Sequence, residues 1–594
     1  MEIWINYLDQ VLIFVVFAVS LNLLLGYAGQ VSVAHAAFGA IGGYAMGYLV
    51  IEQGWNYIPA VLLGALAAMI VGTVVALPAL RLSVEFLILL TLAVSLVTIG
   101  IFTTFPVLGG TYGLIGIPQA QIFGYELAEP RDWILPLLIA AVIIYLLCRR
   151  MGESAYGRVL KGLREDPDAT RSLGKNVFAY KVSVFAVTSA MAGLAGGLYS
   201  GYLQLATPGV YSFDTSLKIF AIVIFGGIAN LMGSVLGAFV VVLTEPILER
   251  QPFIDLDARD ASLIQLVIYG LLLVVLMMLR PQGLLPEGFS IWRWLKGERR
   301  AGTRVEMEAE GWVPDIDPAS LVVTPGGSEE AREREWHEAP VVLEVRGLSK
   351  RFGGIVAAQE LDMDLHRGTI TALVGPNGAG KTTVFNLLTG FIRPDAGSVR
   401  LNGTELVGKS PEQVARLGLV RSFQDVRIVP RLSCLQNVML GVQDQTGEHM
   451  GKLFYAPRKS DADERRTRER AMEWLQFVGM AEFADVPGAA LSFGQSKLVA
   501  LARVLATEAD VLLLDEPASG IDTKWVDTML DLVEAVKHQG RTVCIVEHNL
   551  HVVGRLADHT YFMELGMITA QGTIAELTSS ERLAEAYFGT STRA

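Results

Sequence analysis

Long apolar runs follow one another through the first 281 residues, near Ile5–Leu25, Phe38–Ile51, Ile58–Leu80, Phe86–Phe105, Trp133–Cys148, Val177–Leu203, Ile219–Leu248 and Leu263–Leu279. Each approaches or exceeds the roughly 20 residues a helix needs to cross a bilayer. A soluble core buries one or two such helices, so this succession implies an all-α polytopic membrane domain with about eight to ten crossings. Charged residues become common only from about residue 291, and 594 residues exceed a single ordinary core, so the chain reads as multi-domain. The boundaries fall at a membrane domain over 1–290, a charged linker over 291–340 and a soluble domain over 341–594. The linker holds GERRAGTRVEMEAEG and TPGGSEEAREREWHEAP, with no sustained apolar period, and reads as a tether with short helical pieces.

Basic residues set the orientation of the membrane domain. Arg149, Arg150, Arg158, Lys161, Arg164, Arg171 and Lys175 form one cluster, and Arg280, Arg293, Lys296, Arg299 and Arg300 another, so both are expected on the cytoplasmic side. An even number of crossings must separate them, yet only three runs are evident. The middle run contains FGGIANLMGS, Phe225 to Ser234, whose glycines and Asn230 split it into two crossings or a re-entrant pair. A cysteine placed between Ile228 and Gly233 is then expected to label from outside. Two further interruptions, Gly26–Tyr44 and Leu108–Pro118, are of the kind that lines a cavity or permits close helix packing through small residues. His35 lies in the first of them, as a functional group or as a hydrogen-bond partner of a neighbouring helix.

Composition removes some classes of function. The net charge is −12 and there is no basic patch interleaved with aromatics, which excludes a nucleic-acid partner. Cys148, Cys434 and Cys544 lack metal-ligand or disulfide spacing and read as reduced thiols. The N-terminal apolar run lacks a basic flank and a small-residue cleavage site, so it is expected to be a first spanning helix and not a removable signal.

The soluble part carries the recognisable chemistry. TITALVGPNGAGKTTVFNLLTG is an apolar strand, a glycine-rich turn and a helix, and Gly375, Gly380, Lys381 and Thr382 fill the phosphate-loop pattern in that context. Such glycines let backbone N–H groups wrap phosphates, while the lysine supplies charge to the β and γ phosphates and the threonine hydroxyl suits magnesium. ADVLLLDEP is a buried strand ending in Asp515 and Glu516, where one carboxylate suits the magnesium and the next an attacking water. RTVCIVEHNL is another, and it ends at His548, within reach of a γ phosphate.

From about Val341 onward the chain resembles the ATPase of ABC transporters. LSFGQSKLVALARVL looks like the family's signature loop and helix, RSFQDV like its glutamine loop, and SGID like its segment between subunits. The resemblance implies an α/β phosphate-loop ATPase that binds ATP and Mg2+ and works as a pair, the signature of one closing on nucleotide held by the other. It implies adenine stacking on Phe352 and phosphate binding through Gly375, Asn377, Gly378, Gly380, Lys381, Thr382 and Thr383. It further implies Thr382, Gln424 and Asp515 at the magnesium, Ser492, Gly494 and Gln495 facing the partner's nucleotide, Glu516 as base and His548 assisting. Phe493 stands where the commonest signature has glycine; tyrosine is usual there in the branched-chain amino acid importer branch. GYAGQVSVAHAAFGAIGGY, GRVLKGLREDPDATRSLGKN and LRPQGLL resemble, in order, the permeases of that branch, although Ala34 and Ala37 replace more usual glycines.

The whole is therefore similar to a LivM-type permease fused to a LivG-type ATPase. Such a chain implies ATP-driven import of branched-chain or other hydrophobic amino acids across a bacterial inner membrane, with the ATPase cytoplasmic; urea, short amides or aromatic acids are alternative cargoes, and an exporter half is a more distant reading. It also implies a second permease and a second ATPase, by homodimer or hetero-assembly, and a periplasmic substrate-binding protein. The stretch Tyr156–Asn176 then corresponds to the loop that couples permease to ATPase, with Glu165, Asp166 and Gly174 in the family pattern.

Overall fold

The computed structural model describes residues 2–79, 84–249, 282–289 and 329–579, with isolated positions at 267, 270, 271, 274, 275, 278 and 280. Most of the expected run Leu263–Leu279 and most of the linker lie outside the described residues. The chain divides into two compact units, Met1–Arg164 with Val177–Arg299, and Glu165–Asn176 with Arg300–Ala594.

The first unit is helical: α1 (Glu2–Asn22), α2 (His35–Gln53), α3 (Tyr57–Ala79), α4 (Val84–Thr104), α5 (Pro130–Glu153), α6 (Ala155–Glu165), then beyond the segment α7 (Pro167–Ser172) come α8 (Val177–Leu203), α9 (Phe213–Gly226) and α10 (Leu231–Glu249). Two minimal ribbons accompany them: β1 (Leu114–Ile115), β2 (Gln121–Ile122), β3 (Tyr125–Glu126) and β4 (Leu205–Ala206) pair as β1 with β4 and β2 with β3. Among the described residues five helices are long and apolar enough to cross a membrane, covering Trp4–Tyr27, Tyr57–Ala79, Glu85–Thr104, Pro130–Glu153 and Val177–Leu203. The glycine-rich α2 is not among them. It packs through backbone: a Cβ on Gly42 would strike the Gly193 carbonyl, and one on Gly196 the Gly39 carbonyl. Small residues that admit such close approach are the usual glue of helices in lipid, where apolar burial gives no net drive. His35 Nε2 lies 2.8 Å from the Ser20 hydroxyl, so the neighbouring-helix hydrogen bond is made.

The split within Ile219–Leu248 is present, and its location corrects the expectation of an outward-facing turn. Between α9 and α10 the backbone breaks at Gly227–Asn230, and Asn22 at the end of α1 satisfies it. Its amide nitrogen shares two protons among the carbonyls of Gly227 (3.1 Å) and Asn230 (3.0 Å) and the Ser234 hydroxyl (2.7 Å), while its oxygen accepts from the Ala229 N–H (2.8 Å). Leu284 and Leu285 donate to Phe225 and Gly226, and Asn230 donates to the carbonyls of Pro286 and Phe289. Arg164 donates to the Gly26 carbonyl and pairs with Glu287 at 3.1 Å. The break therefore lies beside Arg164 and the 280–289 segment, at the end that the basic residues assign to the cytoplasm.

In the second unit β5 (Val341–Phe352), β6 (Ile355–His366), β7 (Ile370–Val374), β8 (Ala396–Leu401), β9 (Thr404–Glu405), β10 (Leu419–Arg421), β11 (Val511–Asp515), β12 (Thr542–Val546), β13 (His559–Glu564) and β14 (Met567–Gly572) form two sheets. One is antiparallel, in the order β6-β5-β8-β9; the other runs β10-β11-β12-β7-β13-β14, parallel except for β14. β7, β11 and β12 are buried throughout, as expected of a parallel sheet covered on both faces. Their registers bring the carboxyl ends of β7, β11 and β12 side by side, the place where open α/β sheets bind ligands. Cys434 and Cys544 are free thiols within this core. The last residues of the expected tether are structured: the helix Glu329–Glu338 places Trp336 against His559 and His366, both rings at 3.9 Å, and Arg332 donates to the carbonyls of Gly554 and Arg555.

Candidate nucleotide and coupling site

The phosphate loop joins β7 to the helix Lys381–Leu388. Gly375, Gly378 and Gly380 hold positive φ of 152°, 83° and 107°, a region closed to most side chains. At Gly375 and Gly380 a Cβ would also strike the carbonyls of Met563 and Ala357, whereas Gly378 faces open space. Asn377, Gly378 and Thr382 are exposed and Thr383 is half-buried, on the open side of the loop. Lys381 is folded back on the loop, its Nζ donating to Gly375 O (2.6 Å) and Pro376 O (3.0 Å). Burial pushes its ammonium below the usual lysine range, against the pull of Glu516 and Asp515. Phe352 ends β5 and is 45% exposed, with the Lys350 ammonium over its ring at 5.5 Å from the centre.

Asp515 is buried at the end of β11, paired with Arg421 at 3.2 Å. Burial raises its carboxyl above the usual range and Arg421 opposes the shift. Arg421 itself is pushed down to about 10 by burial, and it also donates to Asn386 at 2.5 Å. Glu516 follows with φ 47°, an uncommon backbone for a non-glycine residue, and its Oε2 accepts from Gln424 Nε2 at 3.0 Å. The other oxygen lies 3.7 Å from His548 Nδ1. Glu516, Gln424 and His548 thus converge beside the phosphate loop, with Asp515 beneath them.

The signature begins the helix Phe493–Leu505 by a reciprocal cap: Ser492 Oγ accepts from Gln495 N–H (3.3 Å) and Gln495 Oε1 accepts from Ser492 N–H (2.9 Å). Gln495 is thereby turned inward and 1% exposed, leaving Ser492 on the surface and Gly494 half-buried against Trp525. Two residues absent from the sequence reading hold this region together, Arg421 under Asp515 and Lys497, which donates to three carbonyls of the turn Glu516–Ser519. The only signal for them was position, one residue before SFQ and two after the signature glutamine.

The segment Glu165–Asn176 folds as part of the same unit. Asp166 caps α7, accepting from the N–H groups of Asp168 and Ala169, each at 2.9 Å, and Gly174 closes it with φ 78°. Arg427 lies 3.3 Å from Asp166, and Arg431 3.9 Å from Glu165. Arg416 Nε donates to the Gly174 carbonyl (2.9 Å) and Gln443 to that of Leu173 (2.6 Å). Lys175, 1% exposed, donates to the Val442 carbonyl (2.7 Å) and pairs with Glu448 at 2.5 Å. A cavity lined by Ser172, Leu173, Arg421, Phe423, Lys497 and Asp515 runs from α7 towards the carboxylates.

Both halves of the chain match known protein families. A family model described as a branched-chain amino acid transport system permease component matches residues 3–277, and one described as ABC transporter matches residues 358–519. Over 252 residues the chain is 35% identical to the high-affinity branched-chain amino acid transport ATP-binding protein BraF of Pseudomonas aeruginosa, an alignment covering 42% of this chain and 98% of the relative. The Escherichia coli K12 protein LivG, of the same description, is 34% identical over 251 residues, with the same coverage of 42% and 98%. A solved nucleotide-free ATP-binding cassette from an ABC transporter aligns at 30% identity and a TM-score of 0.38, covering 42% of this chain and 100% of that one.

Proposed function

The chain belongs to the branched-chain amino acid family of ABC transporters, a permease domain and an ATP-hydrolysing domain in one polypeptide, and from that membership we propose that it imports branched-chain or other hydrophobic amino acids across a bacterial inner membrane. The observation that carries the mechanism is the convergence of Glu516, Gln424 and His548 beside the phosphate loop, in the unit that also holds the coupling segment.

In this reading Phe352 stacks on adenine, and the N–H groups of Gly375, Asn377, Gly378, Gly380 and Lys381 surround the phosphates. Lys381 Nζ exchanges its loop carbonyls for phosphate oxygens, and Thr383 adds a hydroxyl. The donor set of Thr382, Gln424 and Asp515, all oxygen, fits magnesium, which when bound offsets charge on the phosphates. Glu516 accepts the proton of the attacking water at a carboxylate oxygen, Gln424 orients that oxygen, and His548 steadies the γ phosphate. Ser492 and Gly494 of a second ATPase face the nucleotide, with Gln495 ordering that loop from inside. A second permease, by homodimer or hetero-assembly, completes the path, and a periplasmic binding protein delivers cargo.

The test is uptake of labelled leucine, urea and an aromatic acid by reconstituted vesicles with candidate binding proteins, for wild type and Glu516→Gln. Leucine uptake in the wild type, and retained ATP binding without turnover or uptake in the variant, is the expected result. Uptake of urea alone would overturn the cargo, and undiminished hydrolysis in Glu516→Gln would overturn the base.

A further inference from the structure

Lys497 lies two residues beyond the signature glutamine, 7% exposed on the helix Phe493–Leu505. Its Nζ donates to the carbonyls of Glu516 at 2.8 Å, Pro517 at 3.2 Å and Ser519 at 2.6 Å. An ammonium has three protons and no acceptor, so its full donor capacity is spent on one turn of backbone. That turn begins at Glu516, whose φ of 47° is uncommon for a residue with a side chain and persists only where surroundings fix it. The Glu516 N–H donates to the Val546 carbonyl at 2.9 Å, so the peptide groups on both sides of the Glu516 Cα are anchored. The carboxylate that meets Gln424 at 3.0 Å is aimed by this backbone.

The lysine also touches the position where the signature departs from its commonest form. Its Nζ lies 5.5 Å from the centre of the Phe493 ring, and the same ring abuts Gly520, where an added Cβ would stand 3.2 Å from it. Phe493, Lys497 and the Ser519–Gly520 backbone are therefore in mutual contact, in the turn that begins at Glu516.

We propose that Lys497 is a positioning residue for Glu516: it fixes the left-handed backbone of the general base and ties it to the signature helix of the same chain. The proposal rests on the reading of Glu516 as base. Closure of a signature on the partner's nucleotide then bears directly on the base of its own chain, giving the two ATP sites a mechanical link.

The experiment uses the full chain in reconstituted vesicles and compares Lys497→Met, Lys497→Arg and Glu516→Gln. Steady-state ATP hydrolysis gives kcat and KM, and thermal unfolding with and without ATP gives nucleotide binding. Misplacement of a catalytic group by about 1 Å is worth roughly 100-fold, so Lys497→Met is expected to lower kcat about 10- to 100-fold. Its KM and its ATP-dependent rise in Tm stay within about twofold of wild type, since nucleotide contacts lie elsewhere. Lys497→Arg, which keeps a cation with several donors, restores most of kcat. Wild-type kcat in Lys497→Met overturns the proposal. So does joint loss of kcat and of ATP-dependent stabilisation in both lysine variants, which marks a packing role. Turnover in Glu516→Gln sinks the base assignment, whereas an inactive Glu516→Gln beside a fully active Lys497→Met sinks only the lysine.

Discussion

Lys175→Met is the most discriminating perturbation of Glu165–Asn176, the segment proposed to couple ATPase and permease. The sequence singles out Glu165, Asp166 and Gly174 there, yet the two acidic side chains are 29% and 26% exposed, opposite arginines at 52% and 34%. Ion pairs that wet contribute about 0–1 kcal/mol. Lys175 and Glu448 are 1% and 7% exposed, and removing one member of a buried pair typically costs about 3–5 kcal/mol. At about 1.4 kcal/mol per decade, that is roughly a 10²- to 10⁴-fold loss in the equilibrium for seating the segment. The Val442 carbonyl keeps a donor in the variant, because Gln445 Nε2 also reaches it at 2.9 Å. Replacing both members by apolar residues of similar volume is often neutral. Lys175→Met with Glu448→Met is therefore expected to recover much of the loss. The assay is uptake per ATP hydrolysed in vesicles: it falls in Lys175→Met and rises again in the double variant. Wild-type coupling in Lys175→Met, or a double variant no better than the single, refutes the reasoning.

Charge reversal at both Glu165 and Asp166 turns two attractions into repulsions and is expected to lower uptake per ATP by less than Lys175→Met does; an unchanged ratio reduces that loop to a topological marker. Asn22→Leu removes two amide donors and one acceptor from the α9–α10 break, and at about 0.6 kcal/mol for each bond between membrane helices it should cost about 2 kcal/mol, read as a lower Tm in detergent. A cysteine at Ile228 is expected to react with an impermeant thiol reagent only from the cytoplasmic side; labelling from outside reverses the topology. Burial raises Asp515, so the folded state holds more protons than the unfolded chain and stability falls as pH climbs from the ordinary carboxylate range through the raised one. Arg421→Gln removes the opposing influence, so its Tm deficit without nucleotide should be larger at about pH 8 than at about pH 5, and the acidic limb of hydrolysis should move upward.

What could be read from the sequence followed from how locally each feature is specified. The phosphate loop demands glycines at particular positions because its φ values are closed to side chains, so Gly375, Gly378 and Gly380 announce it in one line of sequence. The strands ending at Asp515 and before His548 are continuous apolar runs because the parallel sheet is covered on both faces, and that too is local. Asn22 and the break at Gly227–Asn230 lie more than 200 residues apart, and nothing in either stretch names the other. The segment near Glu287 completes the same knot from a third place, which is why crossing parity and the glycines with Asn230 found the split without showing what holds it or at which end it lies. Arg421 and Lys497 went unread, and Lys175 counted only towards orientation, for a different reason. A lysine or arginine is ordinarily solvated, so its letter in a sequence carries a prior for the surface, and only tertiary structure shows which few are spent on buried carbonyls and carboxylates. Because a buried cation is costly unless every donor is satisfied, those exceptions gather where backbone or carboxylate must be held still. Here they gather at Glu516, at Asp515 beneath it and at the Glu165–Asn176 segment, so the residues hardest to read in the sequence carry the largest predicted effects.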